Sequence, residues 1–433
     1  MFENILAQDE TIAQLRSDVE RDRLPPALLF EGPAGSGKTS AALELARALS
    51  CAAPEGRMAD WNCPCPACAR QRVLTHPDLL LLGPRSFPEE LPAALEMLNR
   101  APGRSAAFFF TRAARKVARR FDAALYAGEE SRLAKALPLV REVEEALEGV
   151  APERAETAAL APGAAGAAER AAAACAKLEA FLPDAPPVFM VRNAEVWCRL
   201  APLGPRKVVV IENADRMQEG SRNALLKILE EPPASVRFAL TSSRRSSMMA
   251  TILSRTRPYA FKPRDAAGTA LVVERVFRSS EPAASVASFL AARRAFPPER
   301  ARGLARAYLG AALARRAAAR EDAGRLDRPL AELAAAARAE GRSCPDALAD
   351  LLEATKDFGQ KDDRYASSFR FFLEGLSAEL SSLLGEPSLG PAGLALVERI
   401  AGLVRDARVA QESYNRSASL LAETLMYAIG EAG

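Results

Sequence analysis

Short apolar runs alternate with amphipathic stretches over the first 83 residues of the chain. The runs at 27–30 and 79–82 are continuous and short, which predicts two buried β-strands. Residues 9–22 and 41–49 carry apolar side chains every three or four positions instead, and this spacing predicts two α-helices.

The alternation resumes near Val188. Lys207–Ile211 and Arg237–Thr241 are predicted to be strands, and Ser221–Glu231 between them is predicted to be a helix that Pro232 stops. Strands separated by helices favour an α/β fold in which helices cover both faces of a parallel sheet.

Residues from about 85 to 187 interrupt this rhythm, because they are rich in Ala, Arg and Glu and poor in β-branched residues. We predict a helical insertion with a hinge at 161–163, inside an alanine-rich segment at 158–174. One of its helices has a basic face. A solvated surface is the favoured interpretation of this face, and contact with nucleic acid is the alternative. Its members are Arg112, Arg115, Lys116, Arg119 and Arg120.

Helical patterns fill almost all of the chain after Pro263, with a break at 322–325. We therefore predict a sheet domain at 1–263 that carries the insertion, a helical domain at 264–325 and a second helical domain at 326–433.

Composition narrows the class of protein. The chain has 433 residues, 49% of them hydrophobic, and a formal net charge of +3, so it can bury several cores and is not strongly basic. We find no apolar run of transmembrane length and no secretion signal at residues 1–4, and we expect a cytoplasmic protein without membrane contact.

A glycine-rich segment joins the first predicted strand to the helix at 41–49. Its spacing, Gly-x-x-x-x-Gly-Lys-Thr, is typical of a loop whose backbone N–H groups surround a polyphosphate at the positive end of a helix. Lys38 is expected to contact the outer phosphates, and the Thr39 hydroxyl to bind Mg²⁺. Because no guanine-reading Asn-Lys-x-Asp motif is present, we expect ATP. The predicted binding residues are Gly32, Pro33, Ala34, Gly35, Ser36, Gly37, Lys38 and Thr39.

Such a loop works with a carboxylate at the end of a neighbouring strand, which holds Mg²⁺ through water. Glu212 follows the strand at 207–211 and is the candidate catalytic acid. Asn213 stands where an ATPase carries a glutamate that activates water, and an amide cannot take up that proton. Asp215 is a weaker substitute that requires the strand to continue. Whether the chain hydrolyses ATP is left open.

Four of the seven cysteines lie within 51–68. Cys51, Cys63, Cys65 and Cys68 can form a tetrahedral Zn²⁺ site, which would be structural because four protein ligands leave no open position. Free cysteines left over from a lost site are the alternative.

Several strings resemble bacterial DNA polymerase III clamp-loader subunits of the delta prime and gamma/tau types. The most specific are Asn223–Pro233 and Thr251–Arg255. Residues 2–8, 23–25 and 76–79 are similar to the same family, 208–217 looks closer to delta prime, and 414–425 resembles the end of a delta prime collar. The family also has a cysteine followed by Cys-x-x-Cys-x-x-Cys, and here Cys63 sits one residue late. The insertion has no counterpart that we recognise.

The resemblance implies an AAA+ P-loop module followed by an all-α lid, at 264–325, and an all-α collar, at 326–433. Family members form a five-subunit ring that uses ATP to place the sliding clamp on primed DNA. The partners to expect are therefore gamma/tau and delta subunits, the clamp and, through the ring, DNA. Arg255 matches the arginine that reaches a neighbour's ATP, where a guanidinium stabilises charge on the transferred phosphoryl group. The polar γ-phosphate sensor of the family corresponds to one of residues 241–243.

We therefore expect a clamp-loader subunit of delta prime type that binds ATP and lends Arg255 to a neighbour. Asn213 and the lack of a clear lid-domain arginine motif after residue 264 favour this interpretation. A gamma/tau-like motor that hydrolyses ATP itself and an unrelated P-loop ATPase are the alternatives.

Overall fold

The computed structural model describes residues 1–53, 59–84, 90–156, 159–179, 181–183, 185–294, 296–319, 326–354, 367–414 and 416–431. The chain forms two compact units, Met1–Leu290 and Ala291–Gly433. The domain boundaries at 263 and 325 stay predictions, and both the break at 322–325 and Asn415 of the collar-like segment lie outside the described residues.

Five parallel strands form the sheet of the first unit, in the order β2-β3-β4-β1-β5. The predicted α/β class is therefore confirmed. The edge strand β5 was not predicted, because it is short, contains a proline and buries only Tyr259 fully, as an edge strand tolerates. The strands are β1 (Ala27–Glu31), β2 (Leu79–Leu82), β3 (Lys207–Ile211), β4 (Val236–Ser242) and β5 (Arg257–Ala260).

Alternate strand residues bury their side chains on opposite faces of the sheet. Leu28 and Val210 belong to a core shared with the helices at 9–20 and 38–50, whereas Leu29 and Val209 belong to a core shared with the inserted helices. The insertion therefore covers part of one sheet face, together with the helices at 188–199 and 219–230. The helices of the first unit are α1 (Asp9–Glu20), α2 (Lys38–Ser50), α3 (Pro66–Arg72), α4 (Glu90–Arg100), α5 (Arg104–Ala118), α6 (Glu130–Glu148), α7 (Ala164–Glu179), α8 (Val188–Arg199), α9 (Glu219–Glu230), α10 (Ala250–Leu253), α11 (Ala266–Phe277) and α12 (Val286–Ala291).

The basic residues of the insertion do not form a solvated surface, so that prediction is wrong. Lys116 and Arg120 are only 4% and 2% exposed. Arg112, Arg115 and Arg119 donate hydrogen bonds to backbone carbonyl oxygens of Arg72, Val73 and Leu79, at 3.0, 3.0 and 2.6 Å. The basic face is the surface by which α5 and the turn after it attach to the sheet domain.

The alanine-rich segment is also part of the core. Ala168, Ala171 and Ala174 of α7 are fully buried, and α7 packs against α5 and α6. Alanine keeps the helix propensity high and lets neighbouring helices approach closely.

The second unit is all-α in the residues that the structure describes. Its core includes Tyr308 of α13 and Phe372 of α16, whose ring centroids are 4.9 Å apart. Its helices are α13 (Pro298–Ala319), α14 (Arg328–Ala339), α15 (Cys344–Ala354), α16 (Ser367–Leu384), α17 (Pro391–Tyr414) and α18 (Ala418–Glu431). Across the described parts of both units, no helix is long and apolar enough to cross a membrane.

Candidate nucleotide and metal sites

A cavity of about 640 Å³ opens beside the glycine-rich loop at 32–39. The loop, α4, α5 and α11 all contribute to its wall, so the insertion lines the same space as the predicted phosphate site. Four aromatic side chains, Trp61, Phe108, Phe109 and Phe277, give it an apolar part. Its charged lining consists of Lys38, Arg112, Lys116, Arg264, Arg275 and Arg278, with Glu3, Glu44 and Glu90.

The loop needs glycine where its backbone turns. Gly35 has a φ of +74°, and a Cβ there would lie 2.8 Å from the backbone nitrogen of Ala287. Gly32 has a φ of +148°, and a Cβ there would collide with the carbonyl oxygen of Phe261. Larger residues at either position would therefore displace the loop.

Lys38, the first residue of α2, is 7% exposed and folds back onto its own loop. Its Nζ donates hydrogen bonds to the carbonyl oxygens of Gly32 and Pro33, at 2.7 and 2.6 Å. Burial lowers the pKa of Lys38 to about 8; the positive charge of Arg264 acts in the same direction and the negative charge of Asp215 opposes both. The ammonium group therefore lies beside the cavity, and a phosphate can replace the two carbonyl oxygens that accept its hydrogen bonds.

Arg264 is a part of the site that the sequence did not reveal. Its Nη1 donates a hydrogen bond to the carbonyl oxygen of Gly35 at 2.6 Å, and its Nη2 donates one to the carbonyl oxygen of Leu6 at 3.0 Å. The hydrogen bond to Gly35 connects the segment just before α11 to the glycine-rich loop. A single arginine after a proline carries no pattern that would have identified it.

Glu212 lies at the end of β3 but does not line the cavity. Its carboxylate is ion-paired with the guanidinium of Arg120, and the two side chains are 1% and 2% exposed. Burial raises the pKa of Glu212, whereas the charge of Arg120 and a hydrogen bond from Thr39 lower it. Thr39 lines the cavity, and its hydroxyl is suited to bind Mg²⁺. Glu212 is not suited to that role, because the guanidinium of Arg120 already neutralises its carboxylate.

The residues after β3 do not continue the strand. Asn213 has a left-handed backbone, with φ of 49°, and its N–H donates to the Thr241 hydroxyl at 3.0 Å. Residues 214–216 form a 3₁₀ turn, in which Asp215 accepts a hydrogen bond from the backbone of Ser243 at 3.3 Å. The premise that made Asp215 a substitute base is therefore wrong. Of residues 241–243, Ser243 is the one that lines the cavity.

The four clustered cysteines converge on one point. The Sγ atoms of Cys51, Cys63, Cys65 and Cys68 all lie within 4.8 Å of one another, and Cys51 is 3.7 Å from Cys63 and 4.0 Å from Cys65. Thiolates about 2.3 Å from a tetrahedral Zn²⁺ would be separated by distances of this size. The shifted position of Cys63 therefore does not prevent a four-thiolate site.

Hydrogen bonds around the cysteines also suit thiolates. The backbone N–H groups of Ala53 and Ala59 donate to the sulfur of Cys51, at 3.4 and 3.2 Å. Burial acts to raise the pKa of Cys65, but backbone hydrogen bonds from Cys68 and Ala52 outweigh it and lower that pKa to about 7. Such groups hold the ligands of a metal in place.

Arg255 lies in the turn after α10 and does not line the cavity. Its guanidinium is hydrogen-bonded to the carbonyl oxygen of Thr251 at 3.0 Å and to the carboxylate of Glu230 at 2.9 Å, and its side chain is 34% exposed. Thr256, the next residue, is buried, and its hydroxyl donates a hydrogen bond to the carbonyl oxygen of Ile252 at 3.0 Å.

Comparison with protein families supports the resemblance over the sheet domain. A family model described as "DNA polymerase III, delta subunit" matches residues 7–94 and 191–265. The gap between the two matched segments contains α5, α6 and α7, so the helices that carry the basic face stand outside the family pattern.

Individual relatives match short segments. Protein STICHEL of Arabidopsis thaliana is 43% identical over 54 residues, 12% of this chain and 4% of its own. DNA polymerase III subunit delta' of Haemophilus influenzae is 47% identical over 49 residues, 11% of this chain and 15% of its own, and that of Escherichia coli is 41% identical over 63 residues, 14% and 19%. The matches thus span at most 19% of the length of these relatives.

Among solved structures, a DNA polymerase III gamma subunit-related protein from Thermotoga maritima is 17% identical to this chain. The superposition covers 56% of this chain and 79% of that protein, with a TM-score of 0.26.

Proposed function

We propose that the protein is a delta prime type subunit of a bacterial DNA polymerase III clamp loader, because residues 7–94 and 191–265 match the family model described as "DNA polymerase III, delta subunit" and short segments match delta' subunits. In this proposal it assembles with gamma/tau and delta subunits, binds ATP, and lends Arg255 to a neighbouring subunit. The assembled ring then loads the sliding clamp onto primed DNA.

The observation that carries the proposal is the setting of Arg255. The residue follows a family-like string, is partly exposed, and does not line the cavity of its own chain. Its ion pair with Glu230 keeps the guanidinium near the surface, where a more highly charged anion can replace the carboxylate. A triphosphate presented by a neighbour would be such an anion, since phosphate oxygens accept two parallel hydrogen bonds from an arginine.

The proposed ATP ligand is supported by the completeness of the loop and by the charge of the cavity. Lys38 and Arg264 lie against the loop, and cations outnumber carboxylates in the lining by six to three. An excess of positive charge in a partly enclosed space favours a polyphosphate.

We assign the cysteine cluster as a structural Zn²⁺ site. It connects the end of α2 with α3, and Arg47 joins it to the domain by contacts to Glu44 at 2.7 Å and Cys68 at 3.9 Å. Zinc bound there would hold together a segment that has little apolar core of its own.

The test is the ATPase activity of a reconstituted ring. Arg255→Ala should lower turnover at the site it completes by about 10³-fold or more, while ATP binding by the isolated chain is unchanged. Arg199→Ala, at an exposed arginine with an ion pair on α8, is the matched control and should have no effect. Full ring turnover with Arg255→Ala would refute the proposal.

The same preparations separate the proposal from a motor subunit. A motor would hydrolyse ATP in the isolated chain, and Lys38→Ala would abolish that DNA- and clamp-stimulated turnover. A delta prime type subunit should show no such turnover before or after the substitution.

A further inference from the structure

The insertion places a buried cation at the carboxylate that would otherwise serve a metal. The guanidinium of Arg120, in the turn after α5, pairs with the carboxylate of Glu212 at the end of β3. The two residues are 92 positions apart in the chain, and both side chains are almost completely buried.

The ion pair is closely packed against the backbone of Gly83. A Cβ at Gly83, directly after β2, would lie 2.7 Å from a carboxylate oxygen of Glu212 and 3.0 Å from Nη2 of Arg120. The absence of a side chain at Gly83 is therefore what lets both groups lie against the end of the sheet. A hydrated metal ion at the oxygen of Glu212 that Arg120 contacts would require Arg120 to leave.

Leaving would be costly for Arg120. Removing one member of a buried ion pair strands the other charge in a medium of low polarity, which is strongly unfavourable. Lys116, one turn before, is itself buried and paired with Glu90, so it does not replace Arg120. The pair is thus a permanent part of the domain.

Mg²⁺ normally neutralises the negative charge of the nucleotide's phosphates, and other cations that line the cavity are available for this. Lys38 lines it from the loop, Arg264 from the segment just before α11, and Arg275 and Arg278 from the end of α11. These groups could neutralise the outer phosphates directly.

Resting on the proposed ATP binding, we infer that Arg120 takes the place of Mg²⁺ at Glu212, so that this chain binds nucleoside triphosphates independently of divalent metal. Arg120 acts here as a positioning and specificity residue. It keeps Glu212 in an electrically neutral ion pair, so that the site binds a nucleotide that carries no divalent metal.

The experiment measures the Kd of a fluorescent N-methylanthraniloyl derivative of ATP with the full chain, in excess Mg²⁺ and in buffer freed of divalent cations by a chelating resin before the protein is added. A soluble chelator is avoided because it would strip metal from the cysteines. The wild-type Kd should agree within about twofold between the two buffers. Arg120→Gln should bind at least about tenfold more tightly with Mg²⁺ than without it, because Glu212 then offers a free carboxylate.

Two controls sharpen the result. Arg115→Gln removes a guanidinium from α5, the helix just before Arg120, and should behave as wild type, because Arg115 pairs with Glu144 of α6 instead. Arg120→Lys keeps the charge and should restore metal independence. If Arg120→Gln does not fold, as judged by circular dichroism, the wild-type measurement decides alone, with agreement between the buffers supporting the inference.

Each other outcome counts against the inference. A wild-type Kd that improves tenfold with Mg²⁺ overturns it and leaves the proposed function standing. Metal-independent binding by folded Arg120→Gln shows that Arg120 is not the cause. No binding in either buffer removes the proposed ATP ligand, and the inference with it.

Discussion

Affinity for ATP should fall as pH rises through the pKa of Lys38. Burial and the charge of Arg264 lower that pKa to about 8 in the protein without nucleotide. The charged ammonium is the form that attracts phosphate. Above pH 8 part of the binding free energy is therefore spent on taking up a proton, which weakens binding.

The size of the effect follows from the same pKa. With a pKa of about 8, Lys38 is about three-quarters charged at pH 7.5 and about one-tenth charged at pH 9, so Kd should weaken by about eightfold between them. The phosphates of ATP contribute little, because the last proton of a phosphate group leaves at a pKa of about 6 and the phosphates are almost fully ionised throughout this range.

Fluorescence titration of the nucleotide at a series of pH values gives the assay. Asp215→Asn is the informative variant: it keeps an oxygen that can accept a hydrogen bond from Ser243 but removes the negative charge that raises the pKa of Lys38. Its loss of affinity should begin at lower pH than that of the wild type. A Kd that stays constant from pH 7.5 to pH 9 in the wild type would refute the reasoning.

Three further predictions concern the metal, the single histidine and the second unit. Zinc analysis should find about one ion per chain, Cys65→Ser should lose it, and Cys175→Ser, outside the cluster, should keep it. Burial lowers the pKa of His76, so its contribution to stability is complete above about pH 6.5 and is lost as pH falls through the lower folded value; the imidazole signal in an NMR titration should have its midpoint below about 6.5. Gly375→Ala should cost about 1–3 kcal/mol in chemical unfolding, because its Cβ would lie 2.7 Å from the backbone of α13. Gly303→Ala, with open space around it, should instead be neutral or stabilising, and equal effects of the two changes would contradict the packing argument.

Local patterns carried the prediction of the sheet domain. The first strand, the loop and α2 are contiguous, so hydrophobic spacing and glycine positions were enough to predict them. The cysteines could be grouped because they lie within 18 residues, at 51–68, and the geometry of their sulfur atoms then fits the proposed metal. The edge strand β5 was missed because only its pairing with β1 makes Arg257–Ala260 a strand.

Contacts between distant segments were out of reach of the sequence. Helical spacing identified a basic face on α5, but spacing does not reveal what covers a face. A run of arginines is solvated in most helices; here the carbonyl oxygens of Arg72, Val73 and Leu79 accept hydrogen bonds from it. Charged residues opposite an apolar stripe can therefore attach an insertion to its host domain.

Two departures from the residue pattern of an ATPase, at Glu212 and Asn213, fall on the same side of the candidate nucleotide site. On the phosphate side, the loop is complete and Lys38 and Arg264 are in contact with it. On the water-activating side, Asn213 cannot take up a proton and Glu212 is paired with Arg120. Binding needs the first side alone, whereas hydrolysis needs both. A subunit that holds nucleotide as a fixed ligand, and contributes to catalysis only through an arginine offered to its neighbour, would have this division. The insertion would then have two roles. Its helices cover part of one sheet face, and the turn after α5 supplies Arg120, the cation that pairs with Glu212.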